Sequence, residues 1–134
     1  MSSVFDQVRG LALPTGKFAI FGSGPIVARG LRETVDVDVI VTDDVFDELA
    51  KDASWVKVQM RDHHDALKKE GLEIYHTWAP GAWDVDELIK NAEMIDGLPF
   101  VQLDAVVEWK TLRDEGKDKN DLELIEKWRA GTKA

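Results

Sequence analysis

The stretch Phe18-Ala-Ile-Phe-Gly-Ser-Gly-Pro-Ile-Val-Ala-Arg-Gly-Leu-Arg-Glu-Thr-Val-Asp-Val-Asp-Val-Ile-Val41 decides the fold of this chain. The apolar run Lys17 to Phe21 predicts a strand, and it breaks at three residues, Gly22 to Gly24, that predict a turn. Pro25 suits the first turn of a helix, where its missing N–H costs nothing. The valine-rich segment from Val35 to Val41 predicts a second strand, so the stretch is organised as strand, turn, short helix and strand.

Two carboxylates interrupt the second strand. Residues two apart in a strand point to the same face, so we expect Asp36 and Asp38 to project side by side. Two adjacent anions repel each other, and a divalent cation such as Mg²⁺ relieves that repulsion by binding carboxylate oxygens. The turn at Gly22 and Ser23 adds backbone N–H groups and a hydroxyl, which are suited to bind an anion. Together these features indicate metal-assisted phosphoryl chemistry.

The same residues carry a resemblance to a known family. Gly22-Ser23, followed after a short helix by Asp36-Val37-Asp38, resembles the signature of the nucleotidyltransferase superfamily with the polymerase-β-like catalytic core. Gly30, Arg32 and Thr34 strengthen the match. These residues resemble the minimal nucleotidyltransferases of toxin–antitoxin and abortive-infection modules. The resemblance covers about two dozen consecutive residues, which makes it much more specific than a lone glycine motif.

The resemblance implies three catalytic, metal-binding acids: Asp36, Asp38 and Glu73. The family carries its third acid on a later strand, and Glu73 stands at that place in Leu72-Glu73-Ile74, although Glu is longer than the more usual Asp. Asp36 and Asp38 would hold the metal that carries the triphosphate. They would share a second metal ion with Glu73, and that ion would activate the acceptor hydroxyl. The implied cofactor is Mg²⁺, two ions, with Mn²⁺ as a substitute. The alternative for Glu73 is a residue that simply faces solvent.

A second group of residues is expected to bind the nucleotide. The resemblance implies that Gly22 and Ser23 hold the β- and γ-phosphates, and a guanidinium such as that of Arg32 suits bidentate phosphate binding. Related proteins also carry a lysine in the penultimate helix and a basic and acidic run before the last one, which Lys110 and Lys119 match. Lys117 also matches the basic run. For Arg32 a surface pair with Glu33 or Asp36 stays open, and for the lysines a solvated helix cap.

Length and composition set the class of protein. With 134 residues, 44% apolar and 32% charged, the chain suits one domain over residues 1–134. The net charge of −9 argues against broad nonspecific DNA or RNA binding, which usually needs a basic surface. The absence of cysteine excludes disulfides and fits a cytoplasmic location. No apolar run is long enough for a membrane span, so no membrane association is expected.

The remaining elements follow from periodicity and turn signals. The predicted helices are Ser3–Leu11, Val45–Asp52, Asp84–Met94, Leu103–Glu115 and Asp121–Arg129, and the further predicted strands are Trp55–Met60, Leu72–Thr77 and Leu98–Val101. The segment Arg61–Gly71 predicts either a hairpin connection or a short helix around Asp65–Lys69. We therefore expect an α/β (α+β) fold: a mixed β-sheet nucleotidyltransferase core backed by helices, with a helical C-terminal part.

Aromatic and imidazole groups near the candidate acids have simpler interpretations. Trp78 and Trp83 lie in a Pro- and Gly-containing loop, where they either anchor the loop or stack on a base. Adjacent residues do not share a face, so His63 and His64 are a poor metal pair. His76 has the opposite strand parity to Glu73 and is not expected to join the acids.

Two classes of function remain. The leading hypothesis is an enzyme that transfers a nucleoside monophosphate from an NTP to a hydroxyl of an RNA, a protein or a small molecule and releases pyrophosphate. The rival is a catalytically weak module on the same fold that binds a nucleotide or a partner, including an antitoxin or regulatory subunit. A partner protein encoded in a two-gene module is compatible with either.

Overall fold

The computed structural model describes residues 4–34, 36–59 and 65–132. Within them one mixed sheet is flanked by helices. The strands are β1 (Phe18–Phe21), β2 (Val37–Val41), β3 (Val56–Gln59), β4 (Asp65–Lys69), β5 (Leu72–Tyr75), β6 (Glu93–Ile95) and β7 (Leu98–Phe100). The helices are α1 (Val4–Gly10), α2 (Gly24–Ala28), α3 (Asp43–Ala50), α4 (Val85–Lys90), α5 (Leu103–Arg113) and α6 (Gly116–Thr132).

The sheet order is β3-β4-β5-β2-β1-β7-β6. The pairs β2–β5 and β1–β7 are parallel, and the other neighbours are antiparallel. The sheet is therefore mixed, and α5 and α6 form a helical C-terminal part. This confirms the expected α/β (α+β) class at the level of a mixed sheet backed by helices.

Alternation along β2 distributes its side chains between two apolar layers. Val37, Val39 and Val41 are fully buried in one layer, which includes residues of α1 and α3. Ile40 faces the other layer, to which α4, α5 and α6 contribute. Because both faces of the central strands are covered, β2 reads as a nearly continuous apolar run. Asp38 is the exception, and it lies on the same face as Ile40.

One cross-strand row positions the candidate site. Phe21 pairs with Asp38, Asp38 with Glu73, Glu73 with Lys68, and Lys68 with Val56, which places one residue from each of five neighbouring strands in register. Directly opposite residues project to the same face of a sheet. The row therefore runs from the buried Phe21 on β1 through two acids and a lysine to Val56 on the edge strand β3.

The structure corrects the prediction of a helix over Asp84–Met94. The helix α4 ends at Lys90, and Glu93–Ile95 forms the edge strand β6. Asp96 and Gly97 both adopt positive φ, and this tight turn pairs β6 with β7 in a hairpin. The apolar spacing of the segment fits a helix, but the hairpin supplies cross-strand hydrogen bonds to β7 that the spacing does not reveal.

Other element boundaries also differ. Asp65–Lys69 is the strand β4, neither a bare connection nor a helix, because it pairs on both sides with β3 and β5. The predicted strand Leu72–Thr77 ends at Tyr75, and the last helix begins at Gly116 instead of Asp121. Met60 and Arg61 lie outside the described residues. Among the described residues, no helix has the length and apolar character needed to cross a membrane.

Candidate functional site

The turn after β1 brings its backbone directly against a carboxylate. Gly22 has a φ of +59°, and a Cβ atom placed on it would overlap Oδ2 of Asp38. Both the backbone conformation and the close approach therefore require glycine at this position. Ser23 follows and precedes α2, and its hydroxyl accepts a hydrogen bond from Nη2 of Arg32 at 2.5 Å.

Asp38 and Glu73 form the centre of the candidate site. They occupy paired positions on the parallel strands β2 and β5, so their carboxylates share one face at neighbouring positions. Burial, together with the negative charges of Glu73 and Asp36, raises the pKa of Asp38 to about 7. Because this pKa is near neutrality, a further positive charge beside Asp38 would stabilise the ionised form of its carboxyl group.

Glu73 also contacts two neighbours on the sheet. The hydroxyl of Tyr75 donates a hydrogen bond to Oε1 of Glu73 at 2.6 Å, and Nζ of Lys68 lies 3.9 Å from the same oxygen. Burial and this hydrogen bond raise the pKa of Tyr75, so the phenol stays protonated and remains a donor. Tyr75 follows Glu73 by two residues on β5, so both side chains lie on the same face of the sheet. Glu73 is only 24% exposed, so it does not simply face solvent.

Asp36 lies just before β2 and is exposed. Its charge contributes to the raised pKa of Asp38, so the two carboxylates are close enough to interact. In the described ranges, however, no three metal-ligating side chains form a ready-made group. The structure thus brings Asp38 and Glu73 together at paired positions and leaves Asp36 at the exposed margin.

Two cations act on the acids from the helical C-terminal part. The positive charges of Arg113, at the end of α5, and Lys117, in the first turn of α6, both lower the pKa of Asp38 against the larger effect of its burial. Sequence reasoning assigned no role to Arg113. Its spacing of three residues from Lys110 on one helix was the signal that it faces the same region.

Lys110 is placed differently from the expectation that it contacts a nucleotide directly. Its side chain is 1% exposed, and Nζ lies 3.3 Å from Oδ1 of Asp118 and 2.9 Å from Oδ2 of Asp121. Both carboxylates are themselves buried. Lys110 therefore neutralises two acids of α6 within the protein. Lys119 is exposed on α6, and the residue whose charge acts on Asp38 is Lys117.

Arg32 connects the glycine turn to the last helix. Its guanidinium donates to both carboxylate oxygens of Asp121, at 2.7 and 2.9 Å, in addition to its bond to Ser23. The alternative of a side-chain pair with Glu33 or Asp36 is wrong, since the carboxylate partner is Asp121. Burial would raise the pKa of Asp121, but the hydrogen bonds from Arg32 and Lys110 outweigh it and lower the pKa.

An aromatic cluster underlies the site. Trp78 stacks on Phe21 with ring centroids 4.5 Å apart, and it also contacts Tyr75 and Trp109. Arg113 lies over the ring of Trp109 at 4.2 Å. Trp78 is 7% exposed, so it anchors its loop in the core and does not offer a free face to a base.

The histidines do not join the acids in the described residues. Nδ1 of His76 lies 2.9 Å from Oδ1 of Asp43, and its ring stacks on Phe46 at 4.0 Å, beyond the end of β5. This agrees with its strand parity. His63 and His64 lie outside the described residues.

Comparison of the chain with protein-family models gives no match. Comparison with curated proteins gives no match either. The function is therefore argued below from the residues of the site and from the resemblance of the motif around them.

Proposed function

We propose that this protein is a metal-dependent nucleotidyltransferase, an enzyme that transfers a nucleoside monophosphate from an NTP to a hydroxyl acceptor. The observation that carries the proposal is the paired placement of Asp38 and Glu73 on adjacent parallel strands, directly beside the Gly22 turn. This arrangement joins two carboxylates to a backbone site suited to bind an anion. Asp36 is the third acid, at the exposed margin of the pair.

The donor set fits a hard divalent cation. Asp38, Glu73 and Asp36 supply carboxylate oxygens only, and their mutual repulsion raises the pKa of Asp38 together with its burial. Bound Mg²⁺ or Mn²⁺ would neutralise charge on the phosphoryl group and on these acids. The carboxylates that hold it would be Asp36, Asp38 and Glu73. A cation should therefore bind more tightly once Asp38 is ionised.

The C-terminal helices provide positive charge for a triphosphate. The positive charges of Arg113 and Lys117 act on Asp38. Lys117 is 68% exposed and its pair with Glu115 is loose, at 3.9 Å, so its ammonium group can turn to a ligand. Arg113 is held by Asp118, which also pairs with Lys110. We assign Lys117 to binding phosphate, and Arg113 and Lys110 to positioning the first turn of α6 that carries it.

The reaction is an in-line displacement at the α-phosphorus. The acceptor hydroxyl oxygen forms a bond to that phosphorus while the bond to the oxygen that bridges to the β-phosphate breaks, and pyrophosphate leaves. Glu73 is the carboxylate placed to accept the hydroxyl proton. Tyr75 donates to Oε1 of Glu73, which keeps the carboxylate oriented and leaves Oε2 for the proton.

A module that binds nucleotide or a partner without transfer is the second candidate. Two observations favour it: Lys110 is fully occupied by Asp118 and Asp121, and the hydroxyl of Ser23 is occupied by Arg32. This candidate includes an antitoxin or regulatory subunit that acts through a partner protein encoded in a two-gene module. The two candidates differ in whether a nucleotide is consumed.

Incubation with α-labelled NTPs and Mg²⁺, together with pools of RNA, protein and small hydroxyl compounds, distinguishes them. We expect Mg²⁺-dependent transfer of label by the wild type and a loss of at least about a hundredfold in Asp36→Asn/Asp38→Asn, because both groups hold the metal. The charge-matched control is Asp47→Asn/Glu48→Gln, which removes two exposed carboxylates from α3 and should leave transfer unchanged.

Each outcome decides between the candidates. Label transfer that persists in the double variant at the wild-type rate would contradict the assigned acids. Nucleotide binding without transfer to any of the three pools would support the binding module instead. Pyrophosphate release is measured in parallel, so hydrolysis of NTP without an acceptor is recognised as a separate result.

A further inference from the structure

The cross-strand row that contains Asp38 and Glu73 continues to a lysine on β4 and an exposed apolar residue on β3. Lys68 is opposite Glu73 and Val56 is opposite Lys68, so all three project to the face that carries Asp38. Lys68 is 45% exposed in its side chain and Val56 is 60% exposed. The row thus continues past the acids onto an open strip of β4 and β3.

This strip is separated from the expected triphosphate site. The Gly22 turn follows β1, whereas Lys68 is on β4, three positions away in the sheet order. With neighbouring strands about 4.8 Å apart, the separation is roughly 14 Å. The positive charges of Arg113 and Lys117 act on Asp38 from the C-terminal helices. Positive charge therefore reaches the acids both from the helical part and from β4, and the charge on β4 lies on the side away from the turn.

Lys68 loses its carboxylate neighbour when the site is loaded. Its amine lies 3.9 Å from Oε1 of Glu73, and that carboxylate is among the proposed metal ligands. A cation bound by Glu73 would repel Lys68 and remove its present counter-charge. An anionic group on the acceptor would replace it, at a position next to the acid that takes the hydroxyl proton.

We propose that Lys68 and Val56 form an acceptor subsite for a small hydroxyl compound that carries its own phosphate group. The inference rests on the proposed function and names the acceptor class of the same site. Lys68 would bind the phosphate, and Val56 would pack against the carbon skeleton. One exposed lysine suits one phosphate group, whereas an RNA acceptor would need several cations along its backbone, on a protein with a net charge of −9.

In the transfer, the phosphate of the acceptor is retained. The acceptor hydroxyl oxygen bonds to the α-phosphorus, its proton passes to Glu73, pyrophosphate leaves, and the product carries both the original phosphate and the new phosphodiester. Lys68 acts on the acceptor and not on the leaving group. Its removal should therefore change acceptor affinity and leave the affinity for NTP unchanged.

The test is a binding titration with a matched pair of probes. Isotope-labelled protein with Mg²⁺ and a non-hydrolysable NTP is titrated with ribose or with ribose 5-phosphate, and amide NMR shifts are followed. We expect ribose 5-phosphate to bind the wild type at least about tenfold more tightly, with shifts on β3, β4 and β5, since a charge-assisted hydrogen bond contributes about this much. Lys68→Met should abolish the difference, and Lys68→Arg should restore most of it.

Lys57→Met is the matched control. Lys57 is on β3 one residue from Val56, faces the opposite side of the sheet, is 61% exposed and pairs with Asp65. This variant should keep the preference for ribose 5-phosphate. Equal binding of the two probes by the wild type, or a preference that survives in Lys68→Met, would refute the subsite.

The same titration separates the two proposals. A wild type that fails to bind the NTP analogue with Mg²⁺ refutes the proposed function, and the acceptor subsite falls with it. A wild type that binds the analogue but shows no preference dependent on Lys68 refutes only the subsite. A short RNA that binds more tightly than ribose 5-phosphate, through Lys68, would replace the small acceptor by an RNA end.

Discussion

At the scale of single residues, Asp38 carries the greatest electrostatic cost in the candidate site. It lies against the backbone of Gly22 and beside Glu73, so its ionised form loses water and gains a like charge. Its pKa is raised to about 7 as a result. An unperturbed Asp has a pKa of about 3.9, so the folded protein holds a proton here that the unfolded chain releases. This residue therefore opposes folding as the pH rises from about 4 to 7.

Asp38→Asn should stabilise the metal-free protein at pH 8 and leave its stability nearly unchanged at pH 4. The expected gain at pH 8 is on the order of 2 kcal/mol, because the amide removes the cost of ionising a buried carboxyl group. Urea unfolding in the presence of a chelator at both pH values measures it. Asp47→Asn on α3 is the control and should show no such pH dependence.

Added Mg²⁺ gives the complementary result. It should stabilise the wild type more at pH 8 than at pH 5, since an ionised Asp38 binds the cation better, and it should have little effect on Asp38→Asn. An equal gain from Mg²⁺ in both proteins would show that Asp38 is not a ligand.

At the scale of elements, the junction between α5 and α6 concentrates buried charge. Asp114 ends α5 in the left-handed conformation, and Asp118 then accepts hydrogen bonds from the Glu115 N–H and from the Arg113 guanidinium. Lys110 lies 3.3 Å from the same carboxylate, and both side chains are 1% exposed. Although burial raises it, these donors lower the pKa of Asp118 to about 2. The junction is thus fixed by charge pairing and not by apolar packing alone.

Asp118→Ala should destabilise the protein by about 2–4 kcal/mol at neutral pH, because it leaves buried positive charge without one of its partners. Asp104→Ala is the control on α5. It breaks the exposed pair with Arg129, seen at 2.6 Å, and should cost less than about 1 kcal/mol. Urea unfolding at pH 7 measures both.

The stabilisation contributed by Asp118 should depend on pH in a defined direction. The pKa of Asp118 is lowered in the folded state, so its contribution is present above about pH 4 and is lost as the pH falls towards 2. The difference between wild type and Asp118→Ala should shrink over that interval. A difference that is constant from pH 7 to pH 2 would show that packing, and not charge, is responsible.

At the scale of the whole molecule, Arg32 joins segments that are 89 residues apart in sequence. It binds Asp121 on α6 through two hydrogen bonds and Ser23 at the glycine turn through a third. Asp121 in turn holds Lys110 of α5. The helical C-terminal part is therefore attached to the glycine turn by a continuous polar network.

A double-mutant cycle tests this attachment. Arg32→Met and Asp121→Asn should each destabilise the protein, and their coupling energy should exceed about 1 kcal/mol, because the pair is bidentate and Asp121 is only 4% exposed. Unfolding free energies of the four proteins give the coupling. Arg9 and Asp96, a pair that is one-third and one-half exposed, form the control cycle and should couple by less.

The sequence predictions differ in outcome between local features and contacts that depend on packing. Local chemistry predicted the turn at Gly22 and the acids of the candidate site, because a glycine break after an apolar run and an acid set into an apolar strand are properties of short segments. It could not find the partner of Arg32, because Asp121 is brought to it only by the packing of α6. The strand β6 was missed for a different reason: its segment has helical spacing, and this outweighed the local hairpin signal of the Asp96-Gly97 turn that leads to β7.

The sequence by itself determined most of the strands and helices, the mixed α/β class and the candidate acids Asp36 and Asp38, since these depend on periodicities of two and 3.6 residues and on residue type. The resemblance of the motif added Glu73 to the candidate acids. Only the tertiary structure decided that Asp38 and Glu73 are paired in register, that Lys110 is buried against two carboxylates, and that Lys68 follows the acids on β4. The pairing of Asp38 with Glu73 joins residues distant in the chain, and strand register and helix docking are set by burial of the whole core.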